Sequence, residues 1–344
     1  MPHTAVVILN YNTRGFLQKF LPAVLTCSGD CEVIVADNRS PDDSVAFMKE
    51  FYPDVRLIET RENLGFASGY NEVLRQIEAD YYILLNSDVE ITPGWTEPLI
   101  RLMESNPAIA ACQPKILAYD DKELFEYAGA AGGYIDSLGY PFCRGRLFDT
   151  LEKDHGQYND TRRVFWATGA CMMVRADIYH EFGGLDDSFF AHMEEIDFCW
   201  RVQLHGHQVY YCGESSVYHV GGGTLPKTNA HKTYLNFRNG LSMLFKNSLP
   251  SQIWWTIPAR ILLDWVAAAR FFLTGKTDFG KAIFKGHLDF LKMMPELRKK
   301  RKTTFNRKPS GINGVIYDKL LLADYFLRGK KRFTELNFQP DNQK

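Results

Sequence analysis

The N-terminal third of the chain alternates short apolar segments with segments of helical spacing, and few folds accommodate this order. Runs rich in aliphatic and aromatic residues predict strands at residues 5–9, 32–36, 55–58 and 81–85. Apolar residues spaced by three and four predict helices between them, at residues 16–25, 43–51 and 67–77. This βαβαβαβ order predicts an α/β fold with a parallel sheet, because each crossover between parallel strands is right-handed.

Beyond this alternation the pattern changes. Residues 120–160 are rich in Gly, Tyr, Asp and Arg with weak periodicity, so we expect loops and short strands over the site. A helix at 194–204 and a strand at 208–212 are predicted further on. Neither a GxGxxG nor a GxxxxGK[ST] sequence occurs, which disfavours a classical dinucleotide fold and a P-loop enzyme.

Charge and cysteine content exclude some classes of protein. The 344 residues contain 40 Lys and Arg against 41 Asp and Glu, so no overall charge favours nucleic acid as a partner. The seven cysteines form no CxxC pair, which argues against a disulfide framework or a structural zinc site and fits a reducing compartment. The N-terminus shows no signal peptide, so we expect a cytoplasmic protein.

The strand predicted at residues 81–85 is followed directly by polar and acidic residues. Asn86, Ser87 and Asp88 come after its last apolar residue, and Glu90 adds a second acid. Open α/β sheets bind ligands at the carboxyl ends of strands, and a hard divalent cation prefers oxygen ligands that a diphosphate can complete. We therefore expect a metal–diphosphate site at Asp88. The alternative is an aspartate that caps the next turn.

Two further loops have features of a nucleotide site. Asp37 ends the second predicted strand, where an acid can accept hydrogen bonds from a base or ribose; the alternative is an Asx turn. Asn63, Gly65, Gly69 and Asn71 lie around the start of the third helix. Glycine there allows a ligand to approach backbone N–H groups, and the helix N-terminus favours anions. Tight loop packing would explain the same glycines.

Three acids lie together at the start of the predicted helix 194–204. Glu194, Asp197 and Arg201 share one face by their spacing, whereas Glu195 has apolar neighbours one turn on. We expect Glu195 to face inward, where partly apolar surroundings would raise its pKa and make it a better proton acceptor. The alternative is an acidic first turn that complements the helix dipole, with Asp197 and Arg201 as a surface pair.

Two basic side chains further on are also candidates. His219 follows a strand-like segment, and a neutral imidazole there could be a metal ligand beside Asp88. A histidine in an ordinary hydrogen-bonding role is the alternative. Arg238, on the next helical stretch, carries a permanent charge that could neutralise a diphosphate.

In their order and spacing, these motifs resemble glycosyltransferase family 2, the inverting transferases of the A-type glycosyltransferase fold. The resemblance runs from about Thr4 to about Leu244, and the nearest subgroup is the bacterial rhamnosyltransferase-like enzymes of cell-surface polysaccharide assembly. Its motifs are Val7-Ile8-Leu9-Asn10-Tyr11-Asn12, Asp37-Asn38-Arg39-Ser40, Glu62-Asn63-Leu64-Gly65-Phe66-Ala67, Leu85-Asn86-Ser87-Asp88, Gly169-Ala170, Gly183-Gly184-Leu185-Asp186, the block from Glu194 to Arg201, and His219. It implies a Rossmann-like, mostly parallel sheet flanked by helices, with a C-terminal helical extension.

The resemblance also implies roles on the donor side. Asp37 would contact the nucleotide base. Asp88 would hold Mg²⁺ or Mn²⁺ on the diphosphate of a nucleotide sugar, and His219 would complete the metal shell. The residues expected to bind the nucleotide or donor are Asn10, Asn12, Asp37, Asn63, Gly65, Asn71, Asn86 and Arg238.

On the acceptor side, the chain departs from the family pattern. Glu195 stands where the family usually has Asp as the catalytic base, and its extra methylene leaves Glu194 as an alternative base. Asn86 stands in place of the first acid of the DxD motif, which the rhamnosyltransferase-like subgroup also tolerates. The implied mechanism is a single in-line displacement in which the base takes the proton of the acceptor hydroxyl, with inversion at the anomeric carbon.

The donor sugar and the acceptor are less constrained. UDP- and dTDP-linked sugars, rhamnose among them, both suit Asp37 because the two bases present the same imide edge. The acceptor would be a hydroxyl of a glycan or of a lipid-linked oligosaccharide. One alternative is a sugar nucleotidyltransferase, although residues 10–14 lack the Gly-rich basic loop that it would need. The other is an inactive nucleotide-sugar-binding scaffold, which Asn86 and Glu195 leave open.

We divide the chain into a catalytic domain, residues 1–245, and a helical, basic extension, residues 246–344. Residues 253–273 are apolar but interrupted by charges, and a helix from 258 to 273 is too short to span a bilayer. Together with residues 281–294 and the basic run near residue 300, they fit interfacial helices on an anionic leaflet, peripheral at the inner face of the cytoplasmic membrane. The alternative is a helical pair that packs on the catalytic domain or on a dimer partner.

Overall fold

The structure, a computed structural model, describes residues 2–221, 229–306 and 308–340. The strands of these residues are β1 (Thr4–Asn10), β2 (Glu32–Asp37), β3 (Arg56–Glu59), β4 (Tyr81–Asn86), β5 (Val89–Ile91), β6 (Ile109–Ala118), β7 (Gly133–Asp136), β8 (Pro141–Cys143), β9 (Arg146–Leu147), β10 (Thr150–Leu151), β11 (Thr161–Val164), β12 (Cys171–Arg175), β13 (Gln208–His219) and β14 (Ile316–Tyr317). The helices are α1 (Arg14–Cys27), α2 (Ser44–Phe51), α3 (Gly65–Leu74), α4 (Thr96–Ser105), α5 (Ala176–Glu181), α6 (Glu194–Leu204), α7 (Ala230–Asn247), α8 (Ile253–Leu273) and α9 (Thr277–Thr304).

Within the described residues, nine strands form the central sheet, in the order β11-β13-β6-β12-β4-β1-β2-β3 with β5 beside β13. Strands β1 to β4 are parallel, as the alternation predicts. Strand β12 runs antiparallel to β4 and β6, so the far half of the sheet is mixed. The strand predicted at 208–212 continues to His219 across an irregularity in its pairing with β6. That irregularity explains why the sequence shows two strand-like pieces.

Both faces of the central sheet are covered. Alternate residues of β1 and β4 enter two different apolar clusters: Val7 and Leu84 pack with α3, whereas Val6 and Ile83 pack with α1. A strand buried on both faces needs apolar residues at every position, because neither face meets water. This accounts for the uninterrupted apolar run at residues 81–85.

The register of the parallel strands decides where the polar strand ends meet. Asn10 of β1 is paired with Asp37 of β2, and Leu9 is paired with Asn86 of β4. The loops after these three strands therefore leave the sheet at one edge. Parallel strands bring their carboxyl ends to the same side, which is where α/β sheets bind ligands.

The segment 120–160, expected to form loops and short strands, builds part of a second sheet. Over the described residues this sheet has five strands in the order β10-β9-β8-β7-β14. At its junction with the central sheet, Gly133 lies against the ring of Trp166: a Cβ on Gly133 would stand 2.0 Å from that ring. Glycine is required there because the backbone and the indole occupy the space of a side chain.

The C-terminal part of the chain is helical at first and then returns to the body of the protein. Helix α7 crosses the proposed boundary at residue 245, and α8 and α9 follow it. Strand β14 pairs in parallel with β7, and Tyr317, Leu321 and Phe333 join the main apolar cluster. The division into two domains stays a prediction. Among the described residues, none of the helices is both long and apolar enough to span a bilayer.

Candidate active site

A hydrogen-bonded network joins the ends of β1 and β2. Asn10 donates from Nδ2 to Asp37 Oδ2 at 2.8 Å and to Ser40 Oγ at 3.0 Å. The backbone N–H of Ser40 donates to Asp37 Oδ1 at 2.8 Å, which is the local turn considered as the alternative for this acid. Asn12 donates its backbone N–H to Ser40 Oγ at 2.9 Å. Asp37 is thus held rigidly at the sheet edge, and its contact with a nucleotide base stays a prediction.

Thr13 connects this network to the end of β4. Its hydroxyl donates to Asn10 Oδ1 at 2.6 Å and lies 2.8 Å from Ser87 Oγ. Asn86, one residue earlier, donates its backbone N–H to the carbonyl of Ala170 at 2.9 Å. The first loop and the Asn86-Ser87-Asp88 turn are therefore fixed relative to each other.

Asn38 fixes the loop that precedes α3. Its Nδ2 donates to the Gly65 carbonyl at 2.9 Å and to Asn63 Oδ1 at 3.2 Å, and its Oδ1 accepts from the backbone N–H of Leu64 at 3.0 Å. Asn63 Oδ1 also accepts from the Gly65 N–H at 2.9 Å. Asn63 and Gly65 therefore lie at the predicted edge, and the buried Asn38 organises them.

The start of α3, expected to favour an anion, is covered by Phe190. The carbonyl of Phe190 accepts from the backbone N–H of Phe66 at 2.8 Å. Gly65 has a φ of +73°, and a Cβ there would lie 2.5 Å from the Phe190 ring. The glycine thus permits close loop packing, the alternative considered for it, and the Phe190 carbonyl satisfies an N–H group at the helix start. A contact of Gly65 with the donor stays a prediction.

The loop that carries Phe190 is held by α7. Arg238 donates from Nη2 to the carbonyls of Ser188 and Phe189 at 3.1 and 3.0 Å. Asn239 donates from Nδ2 to the carbonyls of Phe189, Ala191 and His192 at 3.0, 2.9 and 2.8 Å. Arg238 thus binds the loop before the acids of α6, and its contact with a diphosphate stays a prediction.

Asn71 has a comparable structural position. Its Nδ2 donates to the Leu185 carbonyl at 2.7 Å, and its Oδ1 accepts from Tyr179 Oη at 2.7 Å and from the Leu185 N–H at 3.0 Å. A Cβ on Gly184 would lie 2.2 Å from the same oxygen. Asn71 therefore joins α3 to the turn before α6, and a contact with the donor stays a prediction.

The two glutamates at the start of α6 lie in low-polarity surroundings. Burial raises the pKa of Glu195 to about 7, against hydrogen bonds from backbone N–H groups that lower it. Burial, with repulsion from Glu195 and Asp197, raises the pKa of Glu194 well above its ordinary value. Among the described residues, Oε2 of each glutamate has no hydrogen-bond partner. Glu195 can therefore hold a proton near neutral pH and release it.

Asp197, on the same helix, is paired with two positively charged side chains. It is fully buried and accepts from Arg201 Nε at 2.9 Å, from Lys246 Nζ at 2.9 Å and from Asn247 Nδ2 at 2.7 Å. The alternative considered for this helix placed the pair of Asp197 and Arg201 at the surface. The pair exists but is buried, because α7 packs over this face and brings Lys246 with it. The buried acid network anchors the helix that carries Glu194 and Glu195.

A short segment joins the glutamates to the end of β4. A Cβ on Gly169 would lie 3.9 Å from the Cβ of Glu195 and 2.9 Å from the ring of Phe66. The next residue, Ala170, accepts the hydrogen bond from Asn86. The predicted base and the predicted metal-binding turn therefore flank the same edge of the sheet.

His219 lies between two buried carboxylates. Its Nε2 is 3.1 Å from Asp88 Oδ1, and its Nδ1 is 3.4 Å from Glu126 Oε2. Burial alone would lower the pKa of His219, but the two neighbouring carboxylates outweigh burial and raise it to about 10. The structure thus brings the two predicted metal ligands together and adds an acid that the sequence did not indicate.

The donor atoms at this place suit a hard or borderline divalent cation only in part. In residues 2–221, 229–306 and 308–340, no group of three or more His, Cys, Asp or Glu side chains is arranged to hold a metal ion. One carboxylate and one imidazole nitrogen are nevertheless adjacent, which fits an ion whose remaining ligands are diphosphate oxygens and water. The role of Asp88 and His219 as ligands stays a prediction.

Several residues of the site gave no usable signal in the sequence. Glu126 lies in a segment without periodicity, and Thr13 and Asn38 are small polar residues of ordinary loop type. Their importance comes from partners on other strands. The Asp37-Asn38-Arg39-Ser40 turn is one of the motifs that carry the family resemblance, and this is a signal in the sequence that points to Asn38.

The chain is similar in sequence to known proteins over a large part of its length. A family model described as Glycosyl transferase family 2 matches residues 5–183. The N-acetylglucosaminyl-diphospho-decaprenol L-rhamnosyltransferase of Mycobacterium tuberculosis is 26% identical over 290 residues, which cover 77% of this chain and 90% of that protein.

Solved structures share the fold. Mannosyltransferase PcManGT from Pyrobaculum calidifontis, in complex with GDP-Man and Mn²⁺, matches with a TM-score of 0.51 and 14% identity over 84% of this chain and 87% of that chain. S. aureus TarS 1-349, in complex with UDP-GlcNAc, matches with a TM-score of 0.54 and 12% identity over 88% of each chain. The expected A-type glycosyltransferase fold is confirmed.

Replacing Glu195 by Gln should stabilise the protein at alkaline pH. With a pKa raised to about 7 when folded, Glu195 binds more protons in the folded than in the unfolded state between about pH 4.5 and 7, so wild-type stability falls as pH rises through this window. Above pH 7 the loss amounts to about 3 kcal/mol, which the neutral isostere avoids. Thermal denaturation should show a higher Tm for Glu195→Gln at pH 8 and little difference at pH 4.5.

Glu97→Gln is the matched control, because Glu97 lies in the first turn of α4 and is exposed. Its Tm should follow that of the wild type at both pH values. A Glu195→Gln variant that is less stable than wild type at pH 8 would show that Glu195 is not a destabilised buried acid.

Proposed function

The chain belongs to glycosyltransferase family 2, and we propose that it transfers a sugar, with inversion, from a nucleoside-diphosphate sugar to a hydroxyl of a lipid-linked or glycan acceptor. The observation that carries the proposal is the pairing of Asp88 with His219 at the sheet edge that Glu195 flanks. A diphosphate-binding cation and a proton acceptor at one edge are the two elements that an in-line displacement at an anomeric carbon requires.

On the donor side, the rigid network of Asn10, Asp37 and Ser40 would receive the nucleotide, with Asp37 toward the base. Asn12, Asn63, Gly65 and Asn86 belong to the loops at this same edge. We propose a uridine or thymidine diphosphate sugar. Relatives of this chain include a rhamnosyltransferase, which supports dTDP-linked rhamnose as one candidate.

Asp88 and His219 would hold Mg²⁺ or Mn²⁺ on the donor. When bound, such an ion would stabilise the negative charge that develops on the leaving nucleoside diphosphate. The shared fold with mannosyltransferase PcManGT, which was solved with GDP-Man and Mn²⁺, supports a divalent ion. The chain itself contributes the position of the two donor atoms, fixed by β4 and by the end of β13.

Glu195 is the better candidate for the base, and Glu194 the alternative. Repulsion by Glu195 and Asp197 adds to burial at Glu194, so Glu194 holds its proton more firmly. Glu195 titrates near neutral pH, where a general base combines availability with basicity. Glu195 would accept the proton of the acceptor hydroxyl at its Oε2.

The acceptor proposal rests on the relatives. The match with the N-acetylglucosaminyl-diphospho-decaprenol L-rhamnosyltransferase covers 90% of that protein. Its name supports a lipid-linked acceptor in cell-surface polysaccharide synthesis for this chain too. The inactive scaffold is the main alternative, since Glu195 and Asn86 depart from the family pattern. A sugar nucleotidyltransferase is disfavoured, because the first loop lacks a basic glycine-rich segment.

We propose that the C-terminal extension, residues 246–344, places the enzyme on the inner face of the cytoplasmic membrane. Two charged residues of helix α8 face inward: Arg260 and Asp264 are buried and 2.9 Å apart, and Asp264 also accepts from Tyr140 Oη at 2.9 Å. Arg270, in the last turn of α8, is exposed. His287 of α9 lies 3.2 Å from the same carboxylate. Arg260 and Asp264 of α8 therefore find their partners inside the protein.

The outward face of α8 and α9 is apolar. Trp254, Leu262, Val266 and Leu273 of α8 are 84%, 60%, 66% and 88% exposed, and Leu288 of α9 is 60% exposed. A helix with polar residues inward and large apolar residues outward reverses the pattern of a helix that faces water. Such a face fits an apolar phase or a protein partner.

The charge around this face favours an anionic membrane over a second copy. Residues 253–304 contain eleven Lys or Arg and only four Asp or Glu. Lys281 and Lys292 of α9 are 72% and 76% exposed in their side chains. Two copies meeting at this face would bring like charges together, whereas anionic headgroups attract them by about 1 kcal/mol per residue. A homodimer is therefore the second candidate.

Wild-type protein should bind a UDP- or dTDP-sugar in a Mn²⁺-dependent manner. Ligand at about 100 times its Kd stabilises the folded state by about 2.7 kcal/mol, which raises the Tm. Asp88→Asn should lose most of this rise, because the carboxylate ligand of the ion is removed. Thermal-shift measurements with UDP-, dTDP- and GDP-sugars, with and without Mn²⁺, test this expectation.

Asp30→Asn is the control, since Asp30 is exposed and precedes β2, at the opposite edge of the sheet. It should keep the full shift. The absence of any shift in the wild type would count against the donor proposal and favour the inactive scaffold.

The product should have inverted anomeric configuration, and kcat should rise with pH through a midpoint near 7 as Glu195 loses its proton. Glu195→Gln should lower kcat by about 10²- to 10⁴-fold, because general-base assistance is lost. Proton NMR of the product and a pH–rate profile are the measurements. Retention, or an unchanged rate in Glu195→Gln together with a loss in Glu194→Gln, would reject the assignment of Glu195.

The exposed face of α8 should bind vesicles that contain anionic lipid. Full-length protein should sediment with phosphatidylglycerol-containing vesicles and less with phosphatidylcholine vesicles. The combined variant Trp254→Ser, Leu262→Ser, Val266→Ser and Leu273→Ser should remain in the supernatant, because its apolar contact area is lost. Phe51→Ser is the control, since Phe51 is 58% exposed on the catalytic part and should not affect binding.

The wild type and the α8 variant also distinguish membrane binding from dimer formation. Light scattering that shows a wild-type dimer, a monomeric α8 variant and no vesicle binding by either would identify the face as a subunit contact. Equal sedimentation of wild type and α8 variant would show that membrane binding uses another surface.

A further inference from the structure

Both ring nitrogens of His219 face carboxylates. Asp88 is a proposed metal ligand, whereas the proposed function gives no role to Glu126. Nε2 faces Asp88 Oδ1 at 3.1 Å, and Nδ1 faces Glu126 Oε2 at 3.4 Å. Asp88, Glu126 and His219 are all buried. A buried carboxylate beside the far nitrogen of a ligand histidine is the arrangement that fixes the tautomer and orientation of that ring.

Glu126 is placed by the fold and not by His219. Its backbone N–H donates to the Ile116 carbonyl at 3.1 Å, beside the parallel pairing of β6 and β13. Its Oε2 also accepts from the backbone N–H of Ala128. A Cβ on Gly221, whose φ is +71°, would lie 2.7 Å from Glu126 Oε1. Only glycine at position 221 therefore leaves room for the Glu126 carboxylate.

We propose that Glu126 is a positioning residue that orients His219 for a divalent cation. With a cation bound at Nε2, Glu126 would accept the Nδ1–H of His219 and keep the proton on that nitrogen, so that the lone pair of Nε2 is free for the ion. The ligand class is a hard divalent cation, Mg²⁺ or Mn²⁺, shared with a diphosphate. This inference rests on the metal-binding part of the proposed function and adds a residue that acts only through His219.

A direct measurement is the affinity for Mn²⁺. Free Mn²⁺ is followed by electron paramagnetic resonance in full-length protein with UDP as the diphosphate probe. Glu126→Gln keeps the shape of the side chain but weakens its acceptor, and loss of such a partner lowers metal affinity about 10- to 100-fold. Glu123→Gln is the control, because Glu123 lies in the same segment with its side chain 71% exposed, and it should bind Mn²⁺ as the wild type does.

A double-mutant cycle tests whether Glu126 acts through His219. In a His219→Ala background, Glu126→Gln should cause no further loss of Mn²⁺ affinity, because the ring that it orients is gone. Additive losses would overturn the proposal and indicate a general electrostatic effect of Glu126.

The tautomer of His219 in the wild type decides the matter if Glu126→Gln does not fold. Nitrogen-15 NMR with Mg²⁺ and UDP should show the proton on Nδ1. A proton on Nε2, or wild-type Mn²⁺ affinity in a folded Glu126→Gln variant, would overturn the inference. Failure of the wild type to bind Mn²⁺ at all would instead contradict the metal part of the proposed function.

Discussion

The parallel register of β2, β1 and β4 is the constraint on which the site depends. Because Asn10 is level with Asp37, and Leu9 with Asn86, three polar turns leave the sheet at one edge. Those turns are then locked by side chains such as Thr13. A shift of any of these strands would separate the proposed nucleotide-binding acid from the proposed metal ligand. The apolar faces prevent such a shift, since they fill both sides of the sheet.

A second level of organisation is electrostatic. The interior beside α6 holds several acids, but positive partners reach only some of them. Arg201 and Lys246 neutralise Asp197, and Lys246 with Lys300 of α9 neutralises Asp186 and holds its pKa well below the ordinary range, despite burial. In the part of the chain that the structure describes, no cation pairs with Glu194 or Glu195, and burial raises their pKa values. The helices that follow residue 230 thus contribute to the conditions under which a base can form.

The C-terminal helices therefore have two faces with different chemistry. The inner face supplies Lys246, Lys300 and the buried pair of Arg260 with Asp264. The outer face presents large apolar side chains beside lysines. If the acceptor is lipid-linked, as proposed, the enzyme has to work close to the bilayer. A basic, apolar face on the same helices that support the acid network would meet this need.

The sequence by itself determined the order of strands and helices in the first part of the chain, the helix from Glu194 and the polar residues at the strand ends. Local periodicity carries this information, because each position reports whether it meets the core. Tertiary structure alone decided what depends on partners distant in sequence. Contacts between elements place Glu126 beside His219, bind Arg238 and Asn71 to loops, form the second sheet and turn Arg260 and Asp264 of α8 inward. No local pattern encodes such contacts.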